Sequence, residues 1–164
     1  MRGSVTKELF DCVPEIDYSS GYRYFLGNLQ NYSQALLNIL KSIKSKLPIM
    51  NMMLQSGEYE GLRSITQTLQ KMFVNIGAYG LAEVSYQLER SVLNDELAAK
   101  PELFTEYVNS LIVFTEHLEE LFQNLDLKNI CNLAVENSSY FNYDFTKTKD
   151  SIKRSCDLLE RKIL

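Results

Sequence analysis

The sequence predicts an all-α protein, and three observations support this prediction. Apolar residues recur at steps of three and four along most of the 164 residues, the spacing that places them on one face of a helix. Only three prolines and seven glycines are present, too few for the many tight turns of an all-β protein. The cleanest stripe continues for about six turns of helix and consists of Phe104, Tyr107, Leu111, Phe114, Leu118, Leu121 and Leu125.

Three other long stripes precede this one. A short helix is expected near Ser19–Leu26, before the first stripe. Pro48 lies inside the first stripe, so we expect a kink or a short break near Lys46–Pro48. Gly77 is a plausible stop for the second stripe. The three stripes are Leu36, Leu40, Ile43, Leu47, Met50 and Leu54; Leu62, Ile65, Leu69, Met72 and Ile76; and Leu81, Val84, Leu88 and Val92.

Four helices with narrow apolar seams and short connections predict an antiparallel four-helix bundle. Residues 1–15 are expected to be a leader, partly disordered or derived from a tag. The bundle is assigned to residues 16–126, and residues 127–164 are expected to form a helical hairpin that packs on it or extends from it. The last helix of that hairpin is amphipathic, with Ile152, Cys156, Leu159 and Ile163 on one face.

The composition argues against several functions. His117 is the only histidine, and the sequence contains no C-x-x-C pair and no phosphate-binding glycine loop, so neither a metal nor a cofactor is predicted. No apolar run approaches the length of a membrane span. A net charge of −4 without a basic, aromatic groove argues against nucleic-acid binding. Three widely spaced cysteines fit reduced thiols in the cytoplasm.

Charge is distributed unevenly along the chain. Residues 102–126 contain six carboxylates and no lysine or arginine, whereas residues 28–71 carry a net charge of +3. One interpretation is ordinary solvated helix faces. The other is a polarised surface that steers an acidic partner toward the second and third bundle helices.

The stretch Ile16 to Asp126 resembles a histidine-containing phosphotransfer (HPt) domain. Its opening "IDYSSGYRYFLGNLQNYSQALL", the turn "LQSGEYEGLRSI" and the run "NIGAYGLAEVSYQLE" are similar to the family in order and spacing. The resemblance implies the family's bundle fold. It fails at the family's His-x-x-Lys-Gly signature, where this chain has Gln67, Gln70 and Lys71. The resemblance therefore implies no catalytic residue, because an amide nitrogen is not a nucleophile.

Within this resemblance we predict a binding face on the second bundle helix. Periodicity places Gln67 and Lys71 on the solvent side, away from the Ile65 and Leu69 seam. Lys71 and the bulky Met72–Val74 run are expected to fill the space that glycine and small residues leave open in the family. Phe73 is expected at the core edge or as an exposed anchor. The predicted face consists of Arg63, Gln67, Gln70, Lys71 and Val74.

The predicted function is that of a non-catalytic pseudo-phosphotransfer domain in bacterial-type two-component signalling. It would dock a receiver domain or a histidine kinase without carrying phosphate. One alternative is a helical adaptor that binds an unrelated partner through residues 127–164. Another is a phosphotransfer protein that uses His117, which is disfavoured because nearby Glu116, Glu119 and Glu120 would stabilise the charged imidazolium.

Overall fold

A computed structural model describes residues 7–128, with side chains up to residue 125. All regular structure in that range is helical, which confirms the all-α prediction for the described residues. The predicted hairpin over residues 127–164 lies almost entirely outside them. The elements are a 3-10 turn at Phe10–Cys12, followed by α1 Tyr18–Tyr24, α2 Leu29–Ser56, α3 Tyr59–Ile76, α4 Tyr79–Leu93 and α5 Glu102–Lys128.

Local signals in the sequence account for most of the helix ends. Asp17 and Asn28 cap the N-termini of α1 and α2, because their side-chain oxygens accept backbone N–H groups of the first turn. Gly57 and Gly77 end α2 and α3 in the left-handed conformation, at φ of 76° and 86°. Two-residue connections therefore link α2 to α3 and α3 to α4.

Pro48 does not interrupt α2, so of the kink or short break predicted near Lys46–Pro48 the break is wrong. The helix is continuous from Leu29 to Ser56 with the proline inside it. Proline removes one backbone N–H, which leaves the Lys44 carbonyl without its usual helical partner. Pro48 is on the exposed side of α2, so water can reach that carbonyl, while the buried seam on the opposite side holds the helix together.

The four long helices enclose one core. α3 packs against α2 and α4, α4 packs against α5, and α5 packs against α2. Every residue of the predicted α5 stripe is buried, with 0–4% of its surface exposed. The α2 stripe is also buried apart from Leu54, which is partly exposed. The 3-10 turn of the expected leader packs against α5 and buries Phe10.

The buried face of α3 is rotated relative to the predicted stripe. Ile65 and Met72 are only half-buried. Their places in the core are taken by Thr66 and Phe73, both fully buried, and Phe73 stacks edge-on against Phe114 with the ring centres 5.8 Å apart. Phe73 is therefore a core residue and not an exposed anchor. Thr66 can lie in the core because its hydroxyl donates to the carbonyls of Leu62 and Arg63.

The short helix α1 is fixed against the end of α3. The Asp17 amide donates to the Gly77 carbonyl over 2.9 Å, and the buried Tyr32 hydroxyl donates to the Ile76 carbonyl over 2.8 Å. Gly21 permits this approach, because a Cβ there would lie 2.4 Å from the Ile76 oxygen. These bonds satisfy carbonyls that the end of a helix leaves without partners. The C-terminal end of α3 is thereby anchored.

Candidate functional site

Gln67, the residue to which the HPt resemblance draws attention, lies on the side of α3 that borders α4. Gln67 is half-buried there, so the prediction that it lies on the solvent side is only partly right. Because the buried face of α3 is rotated toward Thr66 and Phe73, Gln67 lies closer to the contact between α3 and α4 than predicted. Lys71, one turn later, is exposed as predicted.

Gln67 makes a direct hydrogen bond to α4. Its Nε2 donates to Oε1 of Glu89 over 2.5 Å. Glu89 is itself buried, with 9% of its surface exposed. The amide orientation follows from this contact, because a carboxylate accepts hydrogen bonds and would repel the amide oxygen. Periodicity alone did not indicate this partner, since Glu89 lies 22 residues away on another helix.

Arg63 completes a polar network around Glu89. Its Nε lies 3.6 Å from Glu89 Oε1, and its Nη1 donates to Glu60 Oε1 over 2.9 Å. The guanidinium therefore faces two carboxylates of the protein itself. Arg63 cannot add free positive charge to the predicted binding face while it is held in this way. Of the two basic residues predicted there, only Lys71 extends into solvent.

This network has no capacity for phosphoryl transfer through Gln67. The amide lone pair is delocalised, and the nitrogen already donates to Glu89. A phosphoryl group placed beside Gln67 would also approach the Glu89 carboxylate, and like charges at short range repel each other. The arrangement instead fixes the side chain and presents the outer atoms of Gln67 at a constant position.

Exposed apolar side chains lie on the outer sides of α3 and α4. Tyr79, Tyr86 and Leu93 follow one another at steps of seven on α4, so they share one side of that helix. Their exposed fractions are 50%, 42% and 46%, and Val74 on α3 is 45% exposed. We call these four residues the α3–α4 patch. Gln67 and Lys71 share the Val74 side of α3, so polar groups border the patch.

The residues of the predicted binding face therefore differ in accessibility. Lys71 and Val74 are exposed, Gln67 and Gln70 are half-buried, and Arg63 is half-buried within its ion pairs. Sequence reasoning missed Tyr79, Tyr86 and Leu93. Their seven-residue spacing was a usable signal, although it becomes informative only once the buried side of α4 is known. The expected steric block by Met72–Val74 is reduced, because Phe73 points into the core.

His117 lies away from this face and has a different partner from those expected. Its Nδ1 is 2.7 Å and 3.0 Å from the two carboxylate oxygens of Glu15. The sequence suggested an influence from Glu116, Glu119 and Glu120, which are its neighbours on α5. The carboxylate that contacts the ring instead comes from 102 residues earlier in the chain. This contact ties the N-terminal segment to α5.

The part of the chain from residue 7 to residue 128 contains no cluster of three or more metal-ligating side chains. Within the same range no helix is both long and apolar enough to cross a membrane. Comparisons of the chain with protein-family models, with curated proteins and with solved structures give no match.

Proposed function

We propose that this chain is a degenerate HPt domain that binds a receiver domain or a histidine kinase without carrying phosphate. In this proposal the four long helices form an antiparallel bundle of the HPt class, and the protein works in the cytoplasm of a bacterial-type two-component system. It would act by occupying its partner or by holding a signalling complex together. No catalytic residue and no cofactor are part of the proposal.

The observation that carries the proposal is the state of Gln67. The resemblance expects a reactive histidine at this position, and an amide held by Glu89 occupies it. The surroundings still offer a surface for a partner, since the α3–α4 patch exposes two tyrosines and two aliphatic side chains. Tyrosine at the centre of such a surface is favourable for binding, because its ring is large, rigid and partly polar.

Electrostatics contribute less to this proposal than the sequence suggested. Arg63 is neutralised by Glu60 and Glu89, so Lys71 is the basic group that the predicted face exposes. A carboxylate-rich receiver pocket would pair with Lys71 at the rim, while apolar contacts with the patch supply most of the affinity. Rim charges mainly affect the association rate and its salt dependence.

Fluorescence anisotropy against a panel of purified receiver and kinase domains tests the proposal. The wild-type protein should bind at least one of them and take up no label from a phosphorylated partner. Tyr86→Asp should weaken that binding by at least about tenfold, because it places a charge in the apolar contact. Ile49→Asp is the matched control, since Ile49 is 44% exposed against 42% for Tyr86 and lies on α2.

Each result bears on the proposal. Binding that Tyr86→Asp abolishes and Ile49→Asp preserves would support docking through the α3–α4 patch. Failure to bind any receiver or kinase domain would contradict the proposal and favour the helical adaptor. Label uptake by the wild-type protein would contradict the non-catalytic assignment.

A further inference from the structure

A second surface of the protein is an open groove between α4 and α5. The groove has a volume of about 420 Å³. Leu81 and Val84 from α4 and Val113 from α5 form its apolar floor, and Val113 is 43% exposed. The remaining lining residues are Glu15, Gly80, Asn109 and Ser110.

The α5 side of this groove is acidic. Glu106, Glu116 and Glu120 are exposed, and helical spacing places them on the same side of α5 as Asn109 and Val113. Residues 102–126 contain no lysine or arginine that could neutralise them. A ligand that fits this groove therefore combines an apolar stripe with several positive charges.

We propose that residues 147–164 of this same chain bind in the groove between α4 and α5. That sequence contains six basic and three acidic residues. Four apolar residues recur in it at steps of four, three and four, and in this proposal they contact Leu81, Val84 and Val113. Its lysines and arginines would pair with the carboxylates of α5. The four apolar residues are Ile152, Cys156, Leu159 and Ile163.

The length of the chain permits this contact within one molecule. α5 ends at Lys128, and Val113 lies fifteen residues earlier, which is about 22 Å along a helix. Residues 129–146 can span up to about 60 Å when extended. A tethered segment of this length acts at an effective concentration of order millimolar, so it outcompetes the same segment of a second molecule.

The proposed contact leaves the α3–α4 patch uncovered. Val84 and Tyr86 are separated by about 200° around α4, so the groove and the patch lie on opposite sides of the helix. Binding of residues 147–164 would cover the acidic side of the protein and leave the side that carries Gln67 open. The proposal therefore does not depend on the function proposed above.

Thiol labelling of the full-length chain tests the contact. Cys12 and Cys131 are first replaced by alanine, and Cys156 is replaced by valine so that its position stays apolar. A single cysteine is then introduced by Val113→Cys or, as a control, by Tyr86→Cys. The two positions are 43% and 42% exposed, so they are matched before any segment covers them. Alkylation by a neutral reagent is measured with the natural segment and with Leu159→Gln/Ile163→Gln, which removes apolar contacts without changing charge.

The proposal predicts that the glutamine substitutions accelerate labelling of Val113→Cys by at least about tenfold, because labelling of a covered thiol requires local opening. The rate for Tyr86→Cys should not change. The alkylation rate of Val113→Cys with the natural segment should also be independent of protein concentration. Equal rates at Val113→Cys with both segments would overturn the proposal. Protection that disappears on dilution would overturn it too, since the segment would then come from a second molecule. Circular dichroism on each variant excludes unfolding as the cause of faster labelling.

Discussion

Gln67 and Glu89 are joined by a 2.5 Å hydrogen bond between α3 and α4, and Glu89 is almost completely buried. Gln67 therefore satisfies a carboxylate inside a helix–helix contact. A buried carboxylate that lacks a donor is costly. Gln67 thus contributes to the stability of the protein, whereas the sequence pattern indicated a residue on the solvent side of the helix.

Gln67→Ala should destabilise the protein by about 1–3 kcal/mol, the usual cost of leaving a buried polar group without its partner. Lys71→Ala is the control on the same helix, and it should change the free energy of unfolding by no more than about 0.5 kcal/mol because Lys71 is exposed. Urea unfolding of the three proteins measures both effects. Equal stabilities for the two variants would show that the bond to Glu89 is weak in solution.

Gln67→His should supply a nucleophile yet accept little phosphate from a phosphorylated receiver domain. Lys71 is exposed one turn further along α3 and would hold the receiver away. A misplacement of about 1 Å can lower a rate by on the order of 100-fold. The triple variant Gln67→His/Gln70→Lys/Lys71→Gly should therefore take up radiolabel about 100-fold faster than the single variant.

Adding His117→Ala to the triple variant is the control for that experiment, because it removes the only natural imidazole. Label that persists and is acid-labile would then lie at position 67. If the single variant is as active as the triple variant, Lys71 presents no steric barrier. Lys71→Gly is itself expected to cost about 1 kcal/mol of helix stability, so unfolding curves accompany the assay.

Gly21→Ala should destabilise the protein by about 1–3 kcal/mol or more through overpacking. The new Cβ would lie 2.3 Å from the Tyr32 hydroxyl and 2.4 Å from the Ile76 oxygen, and a backbone atom cannot move aside cheaply. Gly61→Ala is the matched control, because its closest neighbour is the flexible end of Met53. Thermal unfolding should separate the two variants by several degrees, and similar midpoints would contradict the tight α1–α3 junction.

Asp17 should make the stability depend on pH in the acid range. Hydrogen bonds from the backbone N–H and hydroxyl of Ser20 hold the pKa of Asp17 below its ordinary value of 3.8. A lowered pKa contributes stability that is complete above 3.8 and is lost as the pH falls through the folded value. Asp17→Ser retains a cap without the charge. The wild-type protein should be the more stable of the two at about pH 5, and the difference in their free energies of unfolding should shrink as the pH falls to about 2.

Ser20→Ala provides the check on this explanation. It removes the hydroxyl donor to Asp17 Oδ2 and keeps the backbone donor to Oδ1. Stability of this variant should therefore fall less on acidification than that of the wild-type protein. A wild-type stability that is constant from pH 5 to pH 2, relative to Asp17→Ser, would contradict the role assigned to the cap.

Periodicity predicted the helices and their core well, because burial of one helix face repeats along a single stretch of sequence. The α5 stripe from Phe104 to Leu125 is an example, and Gly77 ends α3 as expected. On α3 the pattern allowed two neighbouring stripes, and packing against Phe114 selected the one that contains Phe73. Ile65 and Met72 have the right spacing but lie at the edge.

The polar contacts of the candidate site could not be predicted in the same way. Gln67 with Glu89 and His117 with Glu15 each join separate elements. Their pairing depends on the register of one helix against another, which spacing within a helix does not determine. The resemblance drew attention to Gln67, but no pattern within the sequence indicated Glu89 as its partner.

The contact between Glu15 and His117 has a consequence for the order of folding during synthesis. The 3-10 turn packs on α5. The Glu15 carboxylate, three residues after the turn, can contact His117 only after the ribosome has added 102 further residues. At about 5–20 residues per second the ribosome needs roughly 5–20 s to reach that residue. Throughout that interval the 3-10 turn that holds Phe10, which is buried in the finished protein, lacks its packing surface on α5. Closure of the N-terminus onto α5 is thus a late step of synthesis.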